Sequence, residues 1–366
     1  MQKTIESVLN FKSSNWRAVL CLSFILVSFC VHGQGTFAER LGWKKGERVL
    51  IFHVDDVGMS YECNNGAKDA IDYGIATSMS IMMPCPWVPD IAAYVRDHPH
   101  VDAGLHLTFT AEWSKYRWMP VSGTGTPGLI DQEGALWDNV PDVVRHATSE
   151  EIEIEMRAQL NRARRMGMSP THLDTHMGTL WSTPEYLDRY VSFGIKEHIP
   201  ILFTAGHNTL LLKQIQSGPL EGLKKLTAFQ KADTPEHVQH YNDAIRAVGE
   251  RLWDGGLAVA DDLYVSSYDW ELPSNWVRTD ENWRKFKVER YKELLRSVQP
   301  GITVILLHCA DAGSAFQSIS DSGDTRRADW LAMLDDGLKE YIVREGFVLT
   351  TWAEMQRRRD GQNGNR

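Results

Sequence analysis

The sequence predicts an α/β protein: a TIM-like barrel of parallel strands wrapped by helices, seven-stranded and irregular, with loop insertions. Two observations carry that expectation. Strand-like and helix-like segments alternate along the chain, the pattern of a parallel sheet covered by helices. The strongest strands are nearly continuous apolar runs, as strands buried on both faces should be, and for a chain of 366 residues a barrel is the natural closure.

The elements follow in order. "RVLIFHV", residues 48–54, is the first strand and runs straight into Asp55 and Asp56. "NNGAKDAIDYG" reads as a helix with Ala67, Ala70 and Ile71 on one side and Gly74 as its stop. "ATSMSIMM" is a strand, "PDIAAYVRDH" a helix, and "VDAGLHLTFT" the strand after it. "TSEEIEIEMRAQLNRARRMG" opens with a Ser/Thr cap and early acids, then sets Ile152, Met156, Leu160 and Ala163 at helical spacing. "THLDTH" is a short strand, "GITVILLHC" a strong one, and "GFVLTTWAEMQ" a last strand and helix. Residues 111–140, rich in Trp, Gly and Pro, and roughly 205–255, helical and polar, break the rhythm as insertions over one face of a single domain spanning 45–356. The tail, 357–366, is expected to be disordered.

The first 33 residues stand apart. Lys3, Lys12 and Arg17 precede the apolar run "AVLCLSFILVSFCV", and Gly33 follows, the pattern of a cleaved secretory signal peptide. Fourteen apolar-leaning residues are short for a membrane span, which needs about 20. The mature protein is therefore expected in the periplasm or outside the cell, with no stable membrane insertion. Losing three cations and Glu6 takes the formal charge from -9 to -11, a poor match for nucleic acid or anionic lipid. Cys63, Cys85 and Cys309 remain, an odd number without CxxC spacing, so one optional disulfide is all that can form.

The polar residues fall at strand ends. Asp55 and Asp56 close the first strand, His106 lies in "GLHLT", His172, Asp174 and His176 in "THLDTH", and His308 in "VILLHC". In a parallel barrel the C-terminal strand ends converge on one face, where chemistry sits. One carboxylate and two neutral imidazoles make a mixed N/O site for one divalent ion, zinc or a similar metal, and a second carboxylate beside it can take a proton from water. The competing readings are structural: a lone strand-end histidine is more often a core residue, and adjacent acids commonly cap the following helix.

"HVDDVGMSYECNNGAKDAIDYGIATSMSIM", "GLHLT", "PTHLDTH" and "LLHCA" resemble the successive motifs of the YdjC-type carbohydrate deacetylases, which include chitooligosaccharide deacetylases and are related to the wider polysaccharide deacetylases. The likeness runs from about residue 48 to 180, resumes near 300, and leaves 185–295 without clear support. The resemblance implies Asp55 as general base and Asp56, His106 and His176 as ligands of a divalent ion, zinc or magnesium. It also implies His308 as general acid, with Asp174 orienting an imidazole; His172 and Trp181 are expected either behind the ligands or beside the substrate. The substrate implied is an acetylated sugar or oligosaccharide, most readily an N-acetylated one. One departure stands out: where the family commonly continues "DSHxHxH", this chain reads "DTHMGTLW", so Met177, Gly178 and Thr179 bring no further imidazole. Trp113, Trp118, Trp137 and Trp181 lie in or beside the insertions, where aromatic faces can stack on sugar rings. Two other classes compete: a different barrel metallohydrolase, and a non-catalytic carbohydrate-binding relative.

Overall fold

β1 spans Arg48–Val57, and all of it except Arg48 is buried, which is why the run preceding Asp55 is apolar but for His53. The computed structural model describes residues 35–217 and 235–363; the expected export segment and residues 218–234 of the second insertion lie outside the described residues. β2 (Ser78–Ile81), β3 (Ala103–Leu107) and β4 (Leu173–Thr175) continue from one side of β1, and β6 (Gly301–Leu307) and β5 (Asp262–Tyr264) from the other. β7 (Val348–Leu349) pairs with the first half of β1. Every pairing is parallel. The sheet curls into a half-barrel covered by helices. Beyond its two edges, Ile201 bridges to Leu173 of β4 and Thr204 bridges to Ala260, just before β5.

Several sequence expectations change here. β5 is three residues that open on Asp262 directly after Asp261, too short and too polar at its start to show as an apolar run. Residues 357–363 of the tail expected to be disordered are helical, and 364–366 lie outside the described residues: Trp352–Asn363 form a helix whose first amides are held by Asp102, with Trp352 N–H at 3.1 Å and Ala353 N–H at 2.9 Å. Arg358 lies over the Trp43 ring at 4.1 Å and Arg359 over Trp253 at 4.2 Å, so cations that looked like a solvated tail pack on aromatic faces. Trp43 itself is buried, which brings the chain ahead of residue 45 into the core. Cys63, Cys85 and Cys309 are buried free thiols, and the optional bridge is not formed. Trp118 is core rather than a surface for sugar. Among the described residues no helix is long and apolar enough to cross a membrane.

The helix Tyr61–Asp72 is capped by Ser60, whose Oγ accepts from Cys63 N–H. Asp55 and Asp56 therefore do not cap it, and their charges are left for something else. Its Gly66 is required by close packing: a Cβ there would meet the Ala310 backbone at 2.6 Å, so the glycine lets the helix press against the chain leaving β6.

Candidate functional site

Adjacent residues of a regular strand point to opposite faces. β1 avoids that at its end. Its register with β2 shifts between Val54 and Val57, and Asp56 takes φ 61°, a left-handed conformation that Asp tolerates better than most residues. Asp55 stays on the inward face it shares with His53 two residues earlier, and Asp56 is turned into the same pocket.

Three donor atoms meet there. Asp56 Oδ1 lies 3.2 Å from His106 Nε2 and 3.2 Å from His176 Nδ1, and the two nitrogens are 3.1 Å apart. Metal bonds of about 2.0 Å at tetrahedral angles would set neighbouring donors about 3.3 Å apart. All three side chains are buried, and Asp56 Oδ1 has no hydrogen-bond partner among the described residues. A buried carboxylate oxygen without a partner is costly unless something charged completes it. The donor set and its spacing fit a divalent cation.

The outer atoms of both rings are fixed. His106 Nδ1 donates to Asp174 Oδ1 at 2.7 Å, which leaves Nε2 free to face Asp56. His176 Nε2 lies 3.1 Å from both oxygens of Glu112, which leaves Nδ1 on the inner side. Such partners orient metal-binding imidazoles and raise their basicity. On the far side of Asp56, Arg326 Nη2 donates to Oδ2 at 2.7 Å, and its Nε donates to Ser322 Oγ at 2.8 Å.

Charge follows from these contacts. Burial opposes ionisation of Asp56, but Arg326, His106 and His176 outweigh it and hold the carboxyl well below its usual range. Burial opposes protonation of His176, yet Glu112 and Asp56 lift it to about 9; Asp174 and Asp55 overcome burial in the same way to raise His106 well above its ordinary value. Without an ion the pocket therefore holds protons, and a cation entering it displaces them. Asp174, despite burial, is kept far below the usual carboxylate range by His106 and His53.

His308 stands at the rim, with Nε2 3.7 Å from Asp56 Oδ2 and its ring edge-on to Tyr268 at 5.1 Å. Burial, reinforced by Arg326, pushes it down to about 4, so the ring is neutral at rest. Its backbone N–H donates to Asp329 Oδ2 at 3.3 Å, and Asp329 is pinned by Lys287 and Tyr291, each at 2.8 Å.

His172 and Trp181, expected behind the ligands or beside the substrate, are both drawn into the packing. His172 is fully buried: its ring stacks on Trp352, and a Cβ on Gly104 would meet it at 2.4 Å. It supports the layer beneath the site, its ring edge-on to His53 at 4.8 Å. Trp181 is half-buried and packs on the core. Met177, directly after His176, has φ 51° and 48% exposure, and Thr110 Oγ1 donates to its Sδ at 3.4 Å.

Three members of the constellation escape a sequence reading. Arg326 lies 270 residues from Asp56, on the helix Gly323–Met333, with no spacing to announce it. Glu112 sits in the first insertion. His53 carried a usable signal: it shares the inward face of β1 with Asp55, opposite Ser78 and Ser80 on β2.

Fold and site together define an α/β protein of parallel strands with a buried His/Asp cluster at the strand ends, suited to a metal ion. The chain belongs to the YdjC-like protein family, whose profile matches residues 49–344 and so runs through the region where the motifs fall silent. A carbohydrate deacetylase of Thermus thermophilus is 37% identical over 142 residues, covering 39% of this chain and 48% of that protein. One from Thermoanaerobacter pseudethanolicus is 21% identical over 310 residues, covering 84% of this chain and 100% of that protein. A chitooligosaccharide deacetylase of Yersinia enterocolitica is 27% identical over 158 residues, covering 42% and 59%. The chain spans about half the length of the Thermus thermophilus relative it matches. A solved structure from Enterococcus faecalis V583, described as a candidate cellobiose-phosphate cleavage protein, superposes with a TM-score of 0.60 at 18% identity, covering 84% of this chain and 98% of that one, and so shares the fold.

Proposed function

We propose that this protein is a metal-dependent carbohydrate deacetylase that removes acetyl groups from an N-acetylated sugar or oligosaccharide. The observation that carries the reading is the convergence of Asp56, His106 and His176 beside a second carboxylate, in a family with relatives named for this activity. We read the bridges at Ile201 and Thr204 as the closure of an irregular TIM-like barrel, which sets these strand ends around one pocket.

Asp56, His106 and His176 would hold the ion, and the two imidazoles favour zinc over magnesium. Once bound, it would supply Lewis-acid chemistry, acidifying a water and polarising the acetyl carbonyl. Asp55 accepts the proton of the attacking water; its Oδ1 is steadied by Ser80 Oγ at 3.2 Å. His308 hands a proton to the departing amine. Because its ring is neutral at rest, the proton it delivers is one gained during turnover. Arg326 keeps Asp56 ionised.

The leader's pattern supports export, with the deacetylase working on glycans outside the cytoplasm. The test is acetate release from acetylated glycans with zinc-loaded, chelated and Asp55→Asn protein. Release by the loaded enzyme alone supports the reading. Equal release by the chelated protein, or by Asp55→Asn, overturns it.

A further inference from the structure

His53 has no part in the chemistry above, yet it occupies the centre of the polar layer beneath it. Its Nε2 lies 3.0 Å from Asp55 Oδ1 and 2.8 Å from Asp174 Oδ2. Nδ1 faces Ser78 Oγ at 3.0 Å, and the residue is 1% exposed. Asp174 gives its other oxygen to His106 Nδ1 at 2.7 Å. One ring edge thus stands between the carboxylate read as the base and the carboxylate that orients a proposed metal ligand.

Two carboxylates this close repel each other unless a cation or a shared donor separates them. Ser80 Oγ also reaches Asp55 Oδ1, at 3.2 Å, but a neutral hydroxyl offers one proton and no charge. The ring is an aromatic plane locked by a hydroxyl behind and two carboxylates in front. It cannot rotate without withdrawing a donor from both buried acids.

We propose that His53 is a positioning residue: it holds Asp55 oriented for proton abstraction and, through Asp174, holds the His106 ring with Nε2 toward Asp56. The first half rests on the deacetylase reading; the second rests on the Asp174–His106 contact alone.

The experiment uses the full chain with His53→Leu, His53→Gln and His53→Asn, and His53→Leu in an Asp55→Asn background. Zinc affinity is measured by titration of the chelated protein, and kcat and KM for acetate release at saturating zinc. His53→Leu should lose about 10²- to 10³-fold in kcat with KM nearly unchanged. It should bind zinc about 10- to 100-fold more weakly. Gln, whose amide nitrogen reaches where Nε2 stands, should recover about tenfold of each loss, and the shorter Asn should not. In the Asp55→Asn background the further loss in kcat from His53→Leu should stay within about threefold, because the group being positioned is already gone.

Equal losses in both backgrounds, or a folded His53→Leu with unchanged kcat and zinc affinity, would overturn the proposal. Where His53→Leu does not fold, Gln and Asn decide: Gln above Asn supports it, and equality overturns it. If the wild-type protein releases no acetate from any glycan, the deacetylase reading fails separately. The zinc titration still answers, since unchanged affinity in His53→Gln and His53→Asn breaks the link through Asp174.

Discussion

Glu112 grips His176 by the ring edge opposite its proposed metal-binding nitrogen: both carboxylate oxygens lie 3.1 Å from Nε2, while Nδ1 faces Asp56 Oδ1 at 3.2 Å. A ring held this way has its plane and its inward-facing nitrogen fixed before any ion arrives. Glu112→Ala should therefore weaken zinc binding about 10- to 100-fold. Because Glu112 supports protonated His176 when no ion is bound, the chelated variant should also melt somewhat lower near neutral pH, a loss limited by the 20% exposure of the carboxylate. Zinc titration beside thermal melts checks both; unchanged affinity would reduce Glu112 to a bystander.

Removing the proposed ligands should act more severely. His106→Ala and His176→Ala each take away one of three donors and should abolish stoichiometric zinc. Asp55→Asn should keep zinc and lose about 10²- to 10⁴-fold in rate, the usual cost of a missing general base. Elemental analysis of purified variants separates the two classes. Full metal in both histidine variants would dismiss the triad.

Arg326 and Asp56 form a buried ion pair at 2.7 Å, with both side chains 3% exposed. Removing one partner strands the other, which typically costs about 3–5 kcal/mol. Arg326→Met should be destabilised by that order when chelated. Zinc should restore more stability to this variant than to the wild type, because the ion replaces the missing positive charge beside Asp56. Denaturant titrations with and without zinc measure the difference between the two gains. Equal gains would mean that Arg326 does not share its charge balance with the metal position.

The parts of this site that a sequence reveals are those tied to strand ends. Asp55, Asp56, His106, His176 and His308 stand where parallel strands finish, and a rule about strand ends needs no knowledge of side-chain geometry. Asp56 needed more: without the shift in β1 and its φ of 61°, the neighbouring acid would point out of the pocket. Nothing in "VDDVG" announces that. Arg326 and Glu112 come from a helix and a loop with no fixed spacing to the motifs, so only the folded chain brings them in. The tail misleads for a related reason: "RRRD" reads as solvated charge until Trp43 and Trp253 offer faces to the guanidinium groups. Composition says where charge is, and packing says whether it is wet.

Stability without metal should depend on pH in a set direction. Burial lowers the proton affinity of His53, but Asp174 and Asp55 outweigh it and raise the ring to about 9 from 6.5. A raised imidazole stabilises the fold fully below the unfolded value, and that contribution is lost as pH climbs through 9. For this buried ring the shift corresponds to about 3 kcal/mol. His308, pushed down to about 4, acts in the opposite sense, and its contribution disappears as pH falls through that value. Chelated protein should thus be most stable near neutrality and melt lower toward pH 9. His53→Gln should flatten the decline on the alkaline side. A wild-type melting temperature still rising at about pH 9 would contradict the protonated ring.

The last prediction concerns Met177. Its backbone is left-handed, its side chain is 48% exposed, and it directly follows the proposed ligand His176. Where the resemblance leads one to expect further imidazoles, this chain presents a thioether held by Thr110, then the bare backbone of Gly178. Thr179 does not restore polarity to the pocket, because its hydroxyl is buried and donates to the His176 carbonyl at 3.0 Å. A wall without titrating donors cannot hydrogen-bond the hydroxyls of a chitooligosaccharide as imidazoles would, and a thioether favours a less polar sugar face. The enzyme should still cleave an acetyl group while preferring a glycan other than a simple chitooligosaccharide. Acetate release from diacetylchitobiose, compared with a panel of other N- and O-acetylated glycans at equal zinc loading, reads this directly. At least about a tenfold higher kcat/KM for a panel member is the expected outcome, about 1.4 kcal/mol of transition-state preference. Diacetylchitobiose matching or exceeding every other substrate would show that the altered wall does not redirect specificity.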